Sequence, residues 1–170
     1  MTKQEFTYGA QNWNNHLHLL YPALEATTGL VVEFGCGDGS TKQLHQYCDN
    51  RKLRSYDSND EWLQKYKHFE NENHKLFFVK HWDDVELDSI DVLLIDHAPG
   101  ERRKVDLGRF ANIAKIIVIH DSEPVGWNSS DYQVRPVIDR FKYKCDLKSE
   151  IKGGAWATAV SNFIDVRNFL

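Results

Sequence analysis

Short apolar segments alternate with segments of helical periodicity along most of the chain. Five runs of mainly apolar residues predict β-strands at Leu30–Phe34, Leu53–Tyr56, Lys75–Val79, Ile90–Ile95 and Lys115–Ile119. The fourth run, IDVLLI, is almost entirely apolar, which is typical of a strand that is covered on both faces. Because helical segments separate these strands, we expect a parallel sheet with right-handed crossover connections.

The predicted helices lie between the strands and ahead of the first one. Residues 11–28 carry an apolar stripe at helical spacing, formed by Trp13, Leu17, Leu20 and Leu24. Pro22 is expected to kink this helix or to split it in two. Ser58 and Glu61 have the spacing of a capping box, which predicts the start of a later helix. Further helices are expected at Ser40–Cys48 and Arg103–Ala114.

The C-terminal part has a different pattern. Asp131–Phe141 is expected to be helical, and it is followed by two strand-like stretches around a Gly-Gly pair, Tyr143–Lys148 and Ala155–Phe163. This is a hairpin signal, so we expect an antiparallel pair at the edge of the sheet. The sequence contains no internal repeat and no Pro/Ser-rich linker. We therefore expect one domain over residues 1–170, in which residues 1–28 form an N-terminal helical cap.

Composition and charge are those of a soluble globular protein, with 41% hydrophobic and 27% charged residues. The net charge of -4 argues against non-specific binding to nucleic acid. One compact basic run, Arg102–Lys104, is more typical of a solvated helix start than of a phosphate site. The aromatic segment Phe6–Gly9 suits either a plug on the core or a covering segment.

Cysteine usage and hydropathy indicate a reducing compartment. Cys36, Cys48 and Cys145 are odd in number, widely spaced and without a CxxC pair, so we expect free thiols rather than disulfides or structural zinc. The first residues lack an apolar core of signal-peptide length, and no later run approaches the roughly 18 apolar residues of a membrane span. We therefore expect a cytoplasmic protein that does not bind a membrane.

The stretch with the strongest chemical signal is VVEFGCGDGST, at Val31–Thr41. An acidic residue at the end of a strand, Glu33, precedes glycines at every second position, Gly35, Gly37 and Gly39. Glycine permits sharp turns and a close approach of a ligand to the backbone, and Ser40 or Thr41 can cap the next helix. This order of strand, glycine turn and helix predicts a nucleotide-type site. A dinucleotide fingerprint is a poor match, because its third glycine would fall on Ser40.

These residues resemble the class I S-adenosylmethionine-dependent methyltransferases, and the resemblance covers almost the whole chain. EFGCGDG is similar to the first motif of that family, and Asp57, after the second strand, matches its ribose-binding acid. The resemblance implies an α/β fold, a doubly wound and mostly parallel seven-stranded sheet in the order 3-2-1-4-5-7-6, with strand 7 antiparallel and helices on both faces. It also implies S-adenosylmethionine as the cofactor, held at the carboxyl ends of the strands by Glu33, Gly35, Cys36, Gly37, Gly39, Ser40, Asp57, Trp82, Asp83 and Asp96.

The cofactor roles have physical reasons and structural alternatives. A carboxylate such as Asp57 can accept both hydroxyls of a ribose diol, but an acid at that position also suits a helix N-terminus. Glu33 is expected to contact the ammonium group of the cofactor, directly or through water. After the third strand, Trp82 is expected to stack on adenine and Asp83 to accept from its amine. The alternative is that Trp82 is a core aromatic and Asp83 caps a helix.

Two Asp/His pairs, Asp96-His97 and His120-Asp121, follow the fourth and fifth strands. Neighbouring strands bring Asp96 and Asp121 together, and two such carboxylates either repel each other or share a cation. The arrangement is similar to that of the metal-dependent, catechol-type O-methyltransferases, although Ser122 stands where that group has Asn. One interpretation is therefore a weak Mg²⁺ site formed by Asp96, Asp121 and Glu123.

The other interpretation is a metal-free reaction with a histidine base. A hydroxyl acceptor loses its proton as it attacks the sulfonium methyl group, and histidine accepts protons near neutral pH. His120 is the first candidate, oriented by Asp96, and His97 is the second. The structural alternative is that both histidines cap strands or bond to the backbone.

The acceptor is expected to be a small molecule. Residues 96–99, DHAP, do not fit the (N/D)PP(Y/F) motif of enzymes that methylate amino groups of nucleic acids, and His120 stands where the ribose-methylating RNA enzymes have lysine. Arg102 or Arg103 can hold an anionic group of the acceptor. The loop after the fifth strand offers residues for a pocket wall, Trp127, Asn128 and Tyr132.

Two other functions stay open at this point. The chain has few insertions that could build an acceptor pocket, so a cofactor-binding partner or regulatory subunit without catalysis is one alternative. A different enzyme on the same fold, such as an aminopropyl transferase or a hydrolase, is the other. Phe163 and Phe169 in the tail leave room for a homodimer.

Overall fold

The computed structural model describes residues 14–128 and 132–170. Outside the described residues lie the first 13 residues of the expected N-terminal cap, which include the aromatic segment Phe6–Gly9 and Trp13 of the first apolar stripe, and also Asp131.

Seven strands form one mostly parallel sheet. They are β1 (Val31–Phe34), β2 (Leu53–Asp57), β3 (His74–Phe78), β4 (Ile90–Ile95), β5 (Ala114–His120), β6 (Tyr143–Leu147) and β7 (Ala157–Ser161). Their order is β3-β2-β1-β4-β5-β7-β6. The strands β1 to β5 are parallel, and β7 is antiparallel to both of its neighbours. The expected fold class and strand order are confirmed.

Five α-helices accompany the sheet in the described residues, α1 (Leu17–Glu25), α2 (Thr41–Tyr47), α3 (Asp60–Tyr66), α4 (Arg103–Arg109) and α5 (Arg135–Ile138). Pro22 lies inside α1 and does not split it, contrary to one of the two expectations. α4 ends at Arg109 rather than at Ala114, because Ala114 already belongs to β5. α5 is much shorter than the helix expected over residues 131–141.

The helix after β2 begins differently from the prediction. The N-cap of α3 is Asn59, whose side chain accepts a hydrogen bond from the Trp62 N–H at 3.0 Å. The expected capping box of Ser58 and Glu61 is therefore wrong by one residue. The Ser58 hydroxyl instead donates to the carbonyl oxygen of Ala98 at 3.4 Å.

Each face of the sheet carries its own hydrophobic cluster, because successive strand residues point to opposite sides. Val32 of β1 belongs to the cluster that contains residues of α4 and α5, whereas Val31 belongs to the cluster that contains α1. Every residue of β4 is buried, as its apolar sequence predicts. Each fully buried aliphatic side chain stabilises the fold by about 1.5–3 kcal/mol. The sheet is thus a rigid support for the groups at its carboxyl edge.

One glycine controls how that edge is built. Gly35 follows β1 with a φ of +94°, and a Cβ at this position would lie 2.6 Å from the carbonyl oxygen of Asp96. The neighbouring strands are also joined there, because the Asp96 N–H donates to the Phe34 carbonyl at 2.8 Å. The chain leaving β1 therefore passes directly against the chain leaving β4.

The structure tests the expectation that the cysteines are free thiols. All three cysteines are buried and free, as expected. Burial raises the pKa of the Cys48 thiol to about 12, which makes this thiol a poor nucleophile.

Among the helices of residues 14–128 and 132–170, none has the length and the apolar sequence that a membrane span requires.

Candidate active site

A cavity of about 480 Å³ opens at the carboxyl edge of the sheet. This volume lies within the roughly 300–1,000 Å³ that is usual for small-molecule sites. The glycine turn after β1 forms one wall, and the ends of β4 and β5 form another. The lining residues are Asn14, His16, Gly37, Asp38, Gly39, Ser40, Trp62, Asp96, His120 and Asp121.

The glycine turn is held from inside by Glu33. Its carboxylate is completely buried and accepts hydrogen bonds from the hydroxyls of Ser40 at 2.6 Å, Thr41 at 3.0 Å and Ser55 at 2.6 Å. Burial raises the pKa of Glu33 to about 7, although these three hydroxyls act in the opposite direction. Ser40 occupies the N-cap position of α2, but its side chain bonds to Glu33 and does not cap the helix as predicted. Contact between Glu33 and a cofactor ammonium stays a prediction.

Asp57 fastens the same turn to the end of β2. Its Oδ2 accepts from the Cys36 N–H at 2.8 Å, and its Oδ1 accepts from the Asn59 N–H at 2.8 Å. Burial raises the pKa of Asp57, and these backbone N–H groups partly oppose that effect. The Trp62 indole donates to the Cys36 carbonyl from the other side. The carboxylate thus lies beside the turn, and its role toward a ribose stays a prediction.

Trp82 and Asp83 are not brought to the cavity. The Trp82 side chain is buried in the core, where its indole N–H donates to the Ala98 carbonyl at 3.0 Å and its ring lies 4.1 Å from that of His97. The exposed Asp83 carboxylate instead forms an ion pair with Arg102 at 2.7 Å. The structure therefore gives Trp82 the core position that was the alternative to adenine stacking.

Asp96 and His120 form a pair on the cavity wall. Oδ1 of Asp96 lies 3.3 Å from Nδ1 of His120, as expected for a carboxylate that orients the ring. Burial favours the neutral imidazole, but Asp96 and then Asp121 outweigh it and raise the pKa of His120. Burial likewise disfavours the charged Asp96 carboxylate, but His120 and Arg103 hold its pKa at about 2.

Arg103 is the cation shared by the two carboxylates at this edge. Its Nη1 lies 3.0 Å from Asp96 Oδ1 and 2.7 Å from Asp121 Oδ2. The same guanidinium donates to the backbone carbonyls of Asp96, His97 and His120. The expected proximity of Asp96 and Asp121 is confirmed, but a Mg²⁺ ion shared between them is not supported, because a buried guanidinium already bridges them. Nor is Arg103 a solvated residue or a free partner for a substrate anion.

His97 and Arg102 point away from the cavity. Nε2 of the buried His97 lies 2.7 Å from Oδ2 of Asp106 in α4. Arg102 contacts the same carboxylate at 2.9 Å, in addition to its ion pair with Asp83. These contacts correct the assignment of His97 as a second base and of Arg102 as an acceptor contact, since both side chains serve the packing of α4.

The loop after β5 is anchored rather than open. The buried Glu123 carboxylate accepts hydrogen bonds from the backbone N–H of Trp156 at 3.1 Å and from the side chain of Asn128. It is therefore not directed at Asp96 as a metal ligand. The Trp127 indole donates to the Gly154 carbonyl at 2.7 Å. The Tyr132 ring lies 4.9 Å from the Arg103 guanidinium. Trp127 and Tyr132 therefore support the site from outside the cavity lining.

Four residues of the cavity lining were missed by sequence reasoning: Asn14, His16, Asp38 and Trp62. His16 lies in the turn before α1 and is 2% exposed, and Trp62 comes from α3. Burial and then the neighbouring His120 lower the pKa of His16 to about 3. In the sequence, His16 ends a polar run, Asn14-Asn15-His16, that lies between Trp13 and Leu17 of the predicted apolar stripe. Nothing in the local pattern showed that this run returns to the ends of β4 and β5.

The fold of the chain is similar to that of several solved structures. No protein-family profile and no curated protein sequence matches the chain. Solved structures do match. The N-methyltransferase NodS from Bradyrhizobium japonicum WM9 is 9% identical, with a TM-score of 0.65 over 88% of this chain and 94% of NodS. The chain has the same fold as NodS.

Two further structures agree with this fold. Cofactor-bound Rv0187 from MTB is 13% identical, with a TM-score of 0.65 over 95% of this chain and 84% of Rv0187. WbdD is 12% identical, with a TM-score of 0.63 over 91% of this chain, which spans only 41% of WbdD. WbdD is a bifunctional kinase-methyltransferase, and NodS has also been solved with S-adenosyl-L-homocysteine. At these identities the likeness concerns the fold alone.

Proposed function

We propose that the protein transfers a methyl group from S-adenosylmethionine to a hydroxyl group of a small molecule. The observation that carries the proposal is the Asp96–His120 pair, which lines the same cavity as the glycine turn at Gly37 and Gly39. A donor held by the turn and an acceptor held at the pair would share one enclosed space. That proximity is the main requirement for direct transfer between two bound molecules.

The cofactor side of the cavity suits an S-adenosylmethionine molecule. Gly37 leaves the backbone of the turn open toward the cavity, whereas the side chain of Asn14 packs directly against Gly39. Asp57 places a carboxylate at the end of β2, where a ribose diol would find an acceptor, and the buried Glu33 holds the turn from inside through Ser40. When bound, the cofactor supplies a methyl group made electrophilic by its positive sulfur.

The acceptor side provides the proton acceptor. As the acceptor oxygen forms its bond to the methyl carbon, the carbon–sulfur bond breaks and its electron pair stays on sulfur. The hydroxyl proton then passes to the His120 imidazole, which Asp96 orients and whose cationic form it stabilises. The raised pKa of His120 makes the ring a stronger base than an isolated histidine.

A small acceptor is favoured by the size and charge of the site. The cavity of about 480 Å³ has to hold both the acceptor and part of the donor. The acidic balance of the chain, with a net charge of -4, disfavours a nucleic-acid backbone as partner. An uncharged or cationic acceptor suits the site better than an anionic one, because Arg103 is already bonded to two carboxylates.

The test combines cofactor binding with turnover. We expect S-adenosylmethionine to bind in calorimetry and S-adenosylhomocysteine to be released with a panel of catechols and sugars. The variant His120→Gln should lose turnover by at least about 100-fold while its cofactor affinity stays within a few-fold. The exposed His81 lies outside the cavity lining, so His81→Gln is the matched control.

The outcomes separate the alternatives. Absence of S-adenosylmethionine binding would reject the proposal and the partner-subunit alternative together. Binding without turnover on any acceptor would favour a cofactor-binding partner subunit. Turnover that is restricted to amines would show that the acceptor atom is nitrogen rather than oxygen.

A further inference from the structure

His16 is an unusual buried histidine. It is 2% exposed, and neither ring nitrogen has a hydrogen-bond partner in the part of the chain that the structure describes. Buried polar groups are normally hydrogen-bonded, because leaving one unpaired costs about 1–3 kcal/mol. The ring lines the cavity, so its nitrogens are in a position to bind a ligand there.

The groups nearest to His16 are also potential ligands. The rings of His16 and His120 are 4.9 Å apart between centroids and meet edge to face. Nε2 of His120 is likewise buried without a hydrogen-bond partner among the described residues. One donor atom from each of His16, Asp96 and His120 lies within 4.8 Å of the other two. Two imidazoles and one carboxylate therefore converge on one point of the cavity.

We propose that His16, Asp96 and His120 form a binding site for one divalent transition-metal ion of the Zn²⁺, Co²⁺ or Ni²⁺ type. Imidazole and carboxylate ligands suit these ions, whereas Mg²⁺ prefers an all-oxygen set. Ligand atoms around a four-coordinate zinc ion are about 3.4 Å apart, so donor atoms that lie within 4.8 Å of one another need to approach by at most about 1.4 Å. A fourth position would face the open cavity.

The charges around the site permit a dication. Arg103 is the positive group nearest to Asp96, at 3.0 Å, but its Nη1 lies closer to Asp121, at 2.7 Å. Asp96 and Asp121 carry two negative charges against the one positive charge of Arg103, so the cluster keeps a net negative charge to offer the ion. Both histidines bind a metal as neutral rings, so no further buried positive charge accompanies the ion.

This site goes beyond the proposed function and does not depend on methyl transfer. It differs from the expected Mg²⁺ site in that Asp121 is absent from it and His16 is essential. An ion held by Asp96 and His120 would occupy the pair that the proposed reaction uses for the acceptor proton. Ion and proton would therefore compete for the same imidazole.

The test measures metal binding directly on the full chain after treatment with a chelator. We expect calorimetry with Zn²⁺ to show one ion per chain with a dissociation constant in the micromolar range or below. Co²⁺ should give visible absorption bands with the intensity of a four-coordinate site. The variant His16→Ala should weaken Zn²⁺ binding by at least about tenfold. Co²⁺ spectra of the unaltered chain test the donor set even if this variant folds poorly.

The chain offers a matched control in a second histidine pair. Nδ1 of His45 and Nδ1 of His74 lie 3.1 Å apart, away from the cavity lining. If the proposal is right, His45→Ala leaves Zn²⁺ binding unchanged. Loss of Zn²⁺ binding in His45→Ala but not in His16→Ala would overturn the proposal. The proposal would also fail if none of Zn²⁺, Co²⁺ and Ni²⁺ binds at one ion per chain.

S-adenosylmethionine affinity is measured on the same samples. A chain that binds the cofactor but no metal would reject this site and leave the proposed function standing. A chain that binds the metal but not the cofactor would do the reverse.

Discussion

The guanidinium of Arg103 lies 2.7 Å from the carboxylate of Asp121. The arginine side chain is 8% exposed and the aspartate 19%, so water screens this pair only weakly. Removing one partner of such a pair leaves the other charge buried without compensation. The contribution of this pair to the free energy of unfolding can therefore be measured with variants of Arg103 and Asp121.

We expect Arg103→Met to lower the free energy of unfolding by about 3–5 kcal/mol, because it leaves two neighbouring carboxylates without their shared cation. Adding Asp121→Asn should restore part of the loss, since it removes one of the two repelling charges. Urea denaturation of the single and double variants measures this coupling. Arg54 is exposed on β2, so Arg54→Met should cost less than about 0.5 kcal/mol. Equal losses in the single and double variants would contradict the arrangement.

Acid should weaken the attachment of α4 through Asp106. Burial alone would raise the pKa of this carboxyl, but hydrogen bonds from His97, Arg102 and Arg109 hold it at about 2. A lowered pKa adds stability that is present above the unfolded value of 3.8 and is lost as the pH falls toward about 2. The contribution is about 2 kcal/mol.

The measurement is denaturant unfolding across this range with Asp106→Asn as the comparison. Near neutral pH the variant should be less stable than the unaltered chain. The difference should shrink by about 2 kcal/mol between about pH 5 and about pH 2. A difference that stays constant with pH would show that Asp106 is not the group responsible.

A rise in pH from about 4.5 to about 7 should weaken the glycine turn through Glu33. The pKa of this buried carboxyl rises from 4.5 to about 7, so folding favours its protonated form. The resulting stability is fully present below about pH 4.5 and is lost as the pH rises through about 7. Glu33→Gln removes the titration. Its melting temperature relative to the unaltered chain should therefore rise between about pH 5 and about pH 8.

The control for the Glu33 variant is the same substitution at an exposed glutamate. Glu86 is exposed, and Glu86→Gln should show no such change of relative melting temperature with pH. S-adenosylmethionine affinity of Glu33→Gln, measured at the same pH values, also tests the predicted contact with the ammonium group. Unchanged affinity would reject that contact and keep Glu33 as a positioning residue only.

Substitutions at two glycines distinguish the cost of backbone strain from the cost of a steric clash. Gly35 and Gly153 have similar φ values, +94° and +85°, but only Gly35 has backbone atoms where a Cβ would lie. We expect Gly153→Ala to cost about 1–2 kcal/mol from its left-handed conformation alone. Gly35→Ala should cost clearly more and should also reduce cofactor affinity, because β1 and β4 must separate. Equal losses would show that the contact with Asp96 carries no cost.

The strand order and the position of the cavity could be predicted because they depend on chain-wide regularities. Apolar runs mark the strands, and parallel strands place their final residues at one edge, so Asp96 and Asp121 were correctly brought together. The direction of a side chain at a strand end is not contained in that pattern. His97 and His120 both follow or end apolar strands, yet one turns toward Asp106 and the other toward the cavity.

The identity of the shared cation was also beyond the sequence pattern. Arg103 begins a helix several residues after β4, and a basic helix start normally faces water. Its long side chain instead reaches back to three carbonyls at the strand ends. His16 is further still from the β-strands in sequence, and only tertiary packing places it beside His120. Such long-range contacts leave no local periodicity.

The hydrogen bonds around Glu33 have a direction as well as a geometry. Ser55 has one hydroxyl proton and gives it to the ionised Glu33, so at 2.9 Å it must accept from Nε2 of His74. Burial and the nearby His45 lower the pKa of His74 to about 4, so its other nitrogen is a lone pair that accepts from Nδ1 of His45 at 3.1 Å. Nδ1 of the half-buried His45 therefore carries a hydrogen whenever Glu33 is charged. The nitrogen resonances of His45 would report, from helix α2, the charge of the completely buried Glu33.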